Sequence, residues 1–233
     1  MDSYTGDVMI DINYYSILIF LVIFQIIQGG ERTEANIIGH LQELILELKE
    51  DDARELFCST ICVSQGNKKC PTSPRYYGVS MSTSGRNPGR IMIASSCFSS
   101  WDNYVADAVM TYCISNVEKD YFDGTIKLPE EVRCEAFNIS QRNNMLPCKS
   151  CANLFGFTEN GTRVWPYGNC AEVECLSNLF TNDREVRERA RPSSPMYTDR
   201  TIQRARESVM KELREILGML KFSWDGKFYT PQV

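Results

Sequence analysis

Apolar residues recur at helical spacing over residues 33–50 (TEANIIGHLQELILELKE), where Ile37, Leu41, Leu44, Ile45 and Leu48 share one face. Thr33 precedes the periodic run and is placed to cap it. His40 lies on this helix and reads as an ordinary surface or boundary residue. The periodicity breaks between Cys58 and Cys70, a loop marked by Gly66, Asn67 and the Lys68-Lys69 pair. Two short runs, 76–82 (YYGVSMS) and 90–95 (RIMIAS), read as strands. The turn cluster Ser84-Gly85-Arg86-Asn87-Pro88-Gly89 joins them as a β-hairpin.

Further along, Ser100 or Asp102 opens a helix that runs to about Val117. A loop with Asp123-Gly124 and Pro129 follows, and residues 131–138 (EVRCEAFN) alternate like a strand. Pro147 opens the helix CKSCANLF at the first-turn position proline favours, and Gly156 ends it. Residues 162–167 suggest another strand, and Asn169 caps the helix CAEVECLSNLF. A charged, Pro/Ser-rich linker leads to a long amphipathic helix from Asp199 to Leu220, with Ile202, Ala205, Val209, Leu213 and Ile216 on its apolar face. Trp224, Phe228 and Tyr229 are candidates for a last strand.

This order predicts an α/β fold. The expected architecture is three-layer, with a mixed sheet of about five strands, the hairpin plus parallel strands, and helices on both faces. The expected division is an N-terminal segment over residues 1–30, an α/β domain over 31–181, a linker over 182–197, and a C-terminal helix and tail over 198–233 that packs on the domain.

The N-terminal segment changes the setting. Residues 16–27 (SILIFLVIFQII) are apolar and uncharged, too short to span a bilayer comfortably, and fit the core of a signal peptide. Asp2, Asp7 and Asp11 with no Lys or Arg ahead of the run depart from that pattern, so a membrane anchor or a buried core helix are its other readings. Export implies a secreted, extracellular protein. Two glycosylation sequons, Asn138-Ile139-Ser140 and Asn160-Gly161-Thr162, agree with that. The ten cysteines all follow the apolar run, and an even number in an exported chain suggests disulfides. The net charge of −5 argues against a surface that grips nucleic acid all over. One histidine gives little support to a His-based triad or a His-rich metal site. The arginines between Arg184 and Arg206 are interleaved with acids and read as a solvated charged face; the functional reading is a groove for a polynucleotide backbone.

Two motifs carry chemistry. Pro147-Cys148-Lys149-Ser150-Cys151 is a P-C-x-x-C at a helix start, and Cys170-Ala171-Glu172 is a C-A-E at the next helix start. A helix N-terminus favours the thiolate that binds metal. Cys148, Cys151 and Cys170 would give a three-thiolate zinc site with an open fourth position. Glu172 would be the carboxylate that moves the proton. Trp165, Tyr167 and Asn169 lie just before the C-A-E helix and are candidates for binding substrate, the aromatics by stacking on a base.

On these motifs and the element order, residues 34–180 resemble the cytidine-deaminase superfamily, nearest to exported relatives of the AID/APOBEC group. The resemblance implies a Zn2+-dependent hydrolytic deaminase, or an inactive derivative of one. Its substrate would be a nucleobase, a nucleoside or a base in single-stranded nucleic acid. It implies Cys148 and Cys151 as the paired zinc ligands. The sequence departs from the family in one respect. The family's His/Cys-x-Glu motif precedes P-C-x-x-C, but the corresponding helix here reads Tyr104-Val105-Ala106-Asp107. Val105 stands where a zinc ligand would be and Asp107 where the acid would be, so Cys170 and Glu172 would supply both from the following helix. The alternative is a non-enzymatic exported binding protein stapled by disulfides, with a role in host defence.

Overall fold

The computed structural model describes residues 33–49, 58–81, 83, 85–113, 126–158, 160–192, 194–195 and 197–228. The apolar N-terminal run, the end of the helix expected to reach Val117, the Asp123-Gly124 loop and Tyr229 lie outside the described residues. No helix among the described residues is long and apolar enough to cross a membrane.

The chain divides into two units, residues 1–57 with 139–142, and residues 58–138 with 143–233. In the first, helix α1 spans Glu34–Lys49 and buries Ile37, Ile38 and Leu41. Thr33 caps it as expected: its Oγ1 accepts from Asn36 N at 3.3 Å. The Gln42 side chain donates to Ser140 O at 2.7 Å and its Oε1 accepts from Arg142, so α1 and residues 139–142 hold together. His40 is exposed, 3.4 Å from Glu43.

The second unit is mixed α/β. Its elements are β1 (Thr60–Gln65), β2 (Arg75–Val79), α2 (Arg86–Ser99), α3 (Asn103–Cys113), β3 (Arg133–Asn138), β4 (Asn144–Met145), α4 (Lys149–Phe155), α5 (Ala171–Asn182), α6 (Arg184–Arg189) and α7 (Asp199–Met219). The strands form one sheet in the order β2-β1-β3-β4, and every neighbouring pair is antiparallel.

Several expectations need correction. The sheet has four strands among the described residues rather than about five, and none is parallel to its neighbour. Residues 90–95 are helical, within α2. Ile91, Ala94 and Cys97 stand three residues apart and are all buried, which puts them on one face of a helix. Pro88 sits in the first turn of α2, where a missing N–H costs nothing. The hairpin is instead β1–β2, so the segment after Cys58 read as loop is a strand. Residues 162–167 form no strand, nor do 222–228. The expected linker holds α6, capped by Asp183.

Helix α5 is the organising element. Cys62, Gly78 and Ala136 stand side by side across β1, β2 and β3 and make a shallow row for it. Ala171 and Cys175 of α5 pack against that row. A Cβ at Gly78 would lie 2.2 Å from Cys175 N and 2.6 Å from Ala171 O, so only glycine lets the helix backbone rest on β2. Ser64 Oγ donates to Cys175 O at 3.1 Å, and Glu174 accepts from Val79 N at 2.7 Å. On the other side of α5, Val173, Leu176, Leu179 and Phe180 enter the main core with residues of α2, α3, α4 and α7. Ile61 and Val63, which point to the opposite face of the sheet, are buried as well. α7 starts at Asp199 as expected, with Thr198 as its cap and Ala205, Val209, Leu213 and Ile216 buried.

Candidate metal centre

The two motifs meet. Cys148, Cys151 and Cys170 place their sulfurs all within 4.8 Å of one another. Cys148 is the N-cap of α4, and Cys170 is the N-cap of α5. Their sulfurs are 3.4 Å apart. Cys151, in the first turn of α4, directs its backbone N–H at Cys148 Sγ, 3.5 Å away. Pro147 precedes the cap rather than opening the helix, and Cys170 rather than Asn169 caps α5. Gly156 closes α4 in the left-handed conformation, φ 68°, as its position suggests.

The loop between the two helices is fastened to α4. Lys149 N donates to Arg163 O at 2.9 Å, and Gly161 N to Pro147 O at 2.8 Å. Ser150 Oγ donates to Trp165 O at 2.5 Å, and Asn153 to the Tyr167 hydroxyl at 2.9 Å. Its far end is tied to the sheet side, where Asn169 O accepts from Met81 N at 3.0 Å. Gly168 turns the chain at φ 95°, against Ile93, just before Cys170. Residues 162–167, read as a strand, are instead irregular backbone hydrogen-bonded to α4, in the segment that leads to Cys170.

Glu172 stands two residues beyond Cys170 and is 5% exposed. Burial pushes its carboxyl above the ordinary range, and the charge of Cys148 acts in the same direction; its own backbone N–H and the Cys151 thiol oppose them. Hydrogen bonds from the Cys151 and Cys170 thiols, reinforced by the backbone of Cys151 and of Trp165, pull Cys148 down to about 2. The same bond to Cys148 pushes Cys151 and Cys170 up, aided by burial. The three sulfurs thus interact directly around a common centre.

The centre opens to a pocket of about 1020 Å³ whose lining includes Cys148, Cys170, Glu172, Trp165, Tyr167 and Asn169. Arg86 and Arg163 also line it, as exposed cations. Arg90, another lining residue, is paired with Glu212 at 2.6 Å. Met145, Leu146, Val164 and Trp165 are exposed apolar side chains on the same rim. Nothing in the sequence pattern marks Arg86, Arg163 or Leu146 for a site; Arg86 lines the pocket from the first turn of helix Arg86–Ser99, where a turn is expected from the sequence.

Val105 is fully buried in the core. Asp107 is committed elsewhere: it accepts from the Tyr197 hydroxyl at 3.0 Å and pairs with Arg206 at 2.9 Å. The arginines expected on a charged face are likewise spoken for in part. Arg187 pairs with Asp102 at 2.6 Å and covers the Tyr104 ring at 3.9 Å, and Arg189 pairs with Glu131. The nine cysteines with described side chains are free thiols. Asn160 of the second sequon is exposed, whereas Asn138 of the first is half-buried at the end of β3.

No protein-family model matches the chain, and neither a curated protein nor a solved structure matches it.

Proposed function

We propose that Cys148, Cys151 and Cys170 hold a zinc ion and that Glu172 serves it in a hydrolytic deamination of a nucleobase, free or within a nucleotide or polynucleotide. The convergence of the three sulfurs beside a buried carboxylate carries the reading. The donor set suits zinc. Tetrahedral zinc at about 2.3 Å from sulfur sets its thiolates about 3.8 Å apart. The sulfurs here, 3.4 Å apart for one pair and all within 4.8 Å, are compatible with that value. Cys148, Cys170 and Glu172 line the pocket, so a zinc ion held by the three cysteines would be within reach of substrate and water.

Zinc in such a site supplies Lewis acidity, making water a nucleophile near neutral pH. The rest falls to the chain. Glu172, kept from bulk water, accepts the proton of the attacking water on a carboxylate oxygen and returns it to the amine that leaves as ammonia. Trp165 offers a flat face to the base, and Tyr167 is held in place by Asn153. Asn169, between the aromatics and Cys170, lines the same pocket and would hydrogen-bond a ring edge. Arg86 and Arg163 give the pocket mouth a charge that suits phosphate on the substrate.

The resemblance to deaminases is proposed at the level of the site. It is supported by the meeting of the P-C-x-x-C and C-A-E helix starts, with C-A-E supplying what Val105 and Asp107 lack. Glu172→Gln tests the role directly. Turnover of a panel of cytosine and adenine nucleosides, nucleotides and single-stranded oligonucleotides should fall by about 10²–10⁴-fold with zinc retained. Undiminished turnover would remove Glu172 from the mechanism.

A further inference from the structure

We infer that the metal-free centre is an oxidation site at which Cys148 and Cys170 close a disulfide, so that metal and disulfide exclude one another. The exclusion rests on the zinc reading above; the choice of partners rests on position alone.

The C-x-x-C spacing by itself points to a Cys148–Cys151 bond. The structure favours a different pair. Cys148 and Cys170 both line the pocket, and their sulfurs are 3.4 Å apart. Cys151 is 1% exposed and is not among the lining residues. Cys148 and Cys170 are also both N-caps with extended backbone, φ −73° and −89°, so neither side chain is confined by a preceding helical turn. Small χ1 rotations can bring two such sulfurs from 3.4 Å to the bond length of about 2.0 Å. Cys151, inside the turn, is less free to rotate.

The reaction needs a low-molecular-weight disulfide as oxidant. The Cys148 thiolate attacks one of its sulfurs, a mixed disulfide forms, and one thiol leaves. The Cys170 sulfur then attacks Cys148 Sγ, the intramolecular bond forms, and the second thiol leaves. The two released thiols carry away the two electrons and the two protons of the protein thiols. Closure consumes two of the three metal donors, and bound metal in turn withholds both sulfurs from the oxidant.

The full-length protein, stripped with a chelator, is treated with oxidised glutathione, acid-quenched, alkylated and mapped by mass spectrometry. A parallel sample receives one equivalent of zinc first, and the metal content of every sample is measured. The expected result is a Cys148–Cys170 cross-link with Cys151 alkylated, formed at least about 10-fold more slowly with zinc present. C151S should still cross-link, and C170S should not. A Cys148–Cys151 cross-link, no cross-link, or equal rates with and without bound zinc overturns the inference. Failure of the zinc reading is read separately, from the metal content, and leaves the identity of the cross-link to decide this one.

Discussion

Cys148 Sγ and Cys170 Sγ lie 3.4 Å apart although 22 residues separate them in the chain. Each is the cap of its helix, so the sulfurs meet because two helix starts meet. What brings them together is not local to either motif. α5 is seated on the sheet by Gly78, and the loop before it is fastened to α4.

Gly78→Ala should therefore be costly. The added methyl would fall 2.2 Å from Cys175 N, a backbone atom that cannot swing aside. The expected loss is about 3 kcal/mol, at the upper end of overpacking effects. Denaturant unfolding checks it. Because α5 must lift, zinc affinity should weaken as well, although position 78 is remote from the sulfurs in sequence. A variant as stable as the parent would contradict the seating of α5 on β2.

Trp165→Ala should spare the fold and hurt the reaction. The side chain is 46% exposed, so little core packing is lost. If it stacks on a base, truncation removes about 1–3 kcal/mol of binding, or about 5–150-fold in kcat/KM. Zinc content and melting temperature should stay near those of the parent. An unchanged kcat/KM would remove Trp165 from substrate binding.

Asp107→Asn tests whether this carboxylate is structural. Burial raises its carboxyl above the ordinary 3.8, against the opposing pull of Arg206 and Tyr197. Burial outweighs the pairing, so removing the charge relieves a cost, and asparagine keeps its one carbonyl oxygen for Arg206 while its NH2 can donate to the Tyr197 oxygen. Stability at neutral pH should therefore change by less than about 1 kcal/mol, with turnover intact. The acid range should change more clearly. A group whose folded pKa is raised contributes most below its unfolded pKa of 3.8, and that contribution is lost as pH rises through the folded value. Denaturation midpoints across this window should show a falling contribution in the parent that the variant lacks. Loss of turnover with the fold intact would return Asp107 to catalysis.

The site was more legible in the sequence than the sheet was. Cys148, Cys151, Cys170 and Glu172 could be read because a helix start announces itself locally, through a cap residue and the apolar period that follows. Residues 90–95 misled because a short apolar run with isoleucines suits a buried helix as well as a strand. Only the spacing of Ile91, Ala94 and Cys97, read over a longer window, separates the two. β1 was hidden for the opposite reason: Gly66, Asn67 and the lysine pair next to it dominated the reading of Thr60–Gln65. Gly78 was a signal left unused. A glycine inside a strand pattern marks a close backbone approach, and here it marks the seat of the helix that carries Glu172.

The central claim is that three thiolates share one zinc ion, and metal analysis tests it most directly. The purified full-length protein should hold one zinc per chain, and cobalt in its place should give the absorption of a tetrahedral thiolate site. C148S, C151S and C170S should each weaken zinc by at least about 100-fold, since even loss of a residue that merely orients a ligand costs 10–100-fold. Zinc-free protein, or zinc binding that survives all three substitutions, would contradict the account.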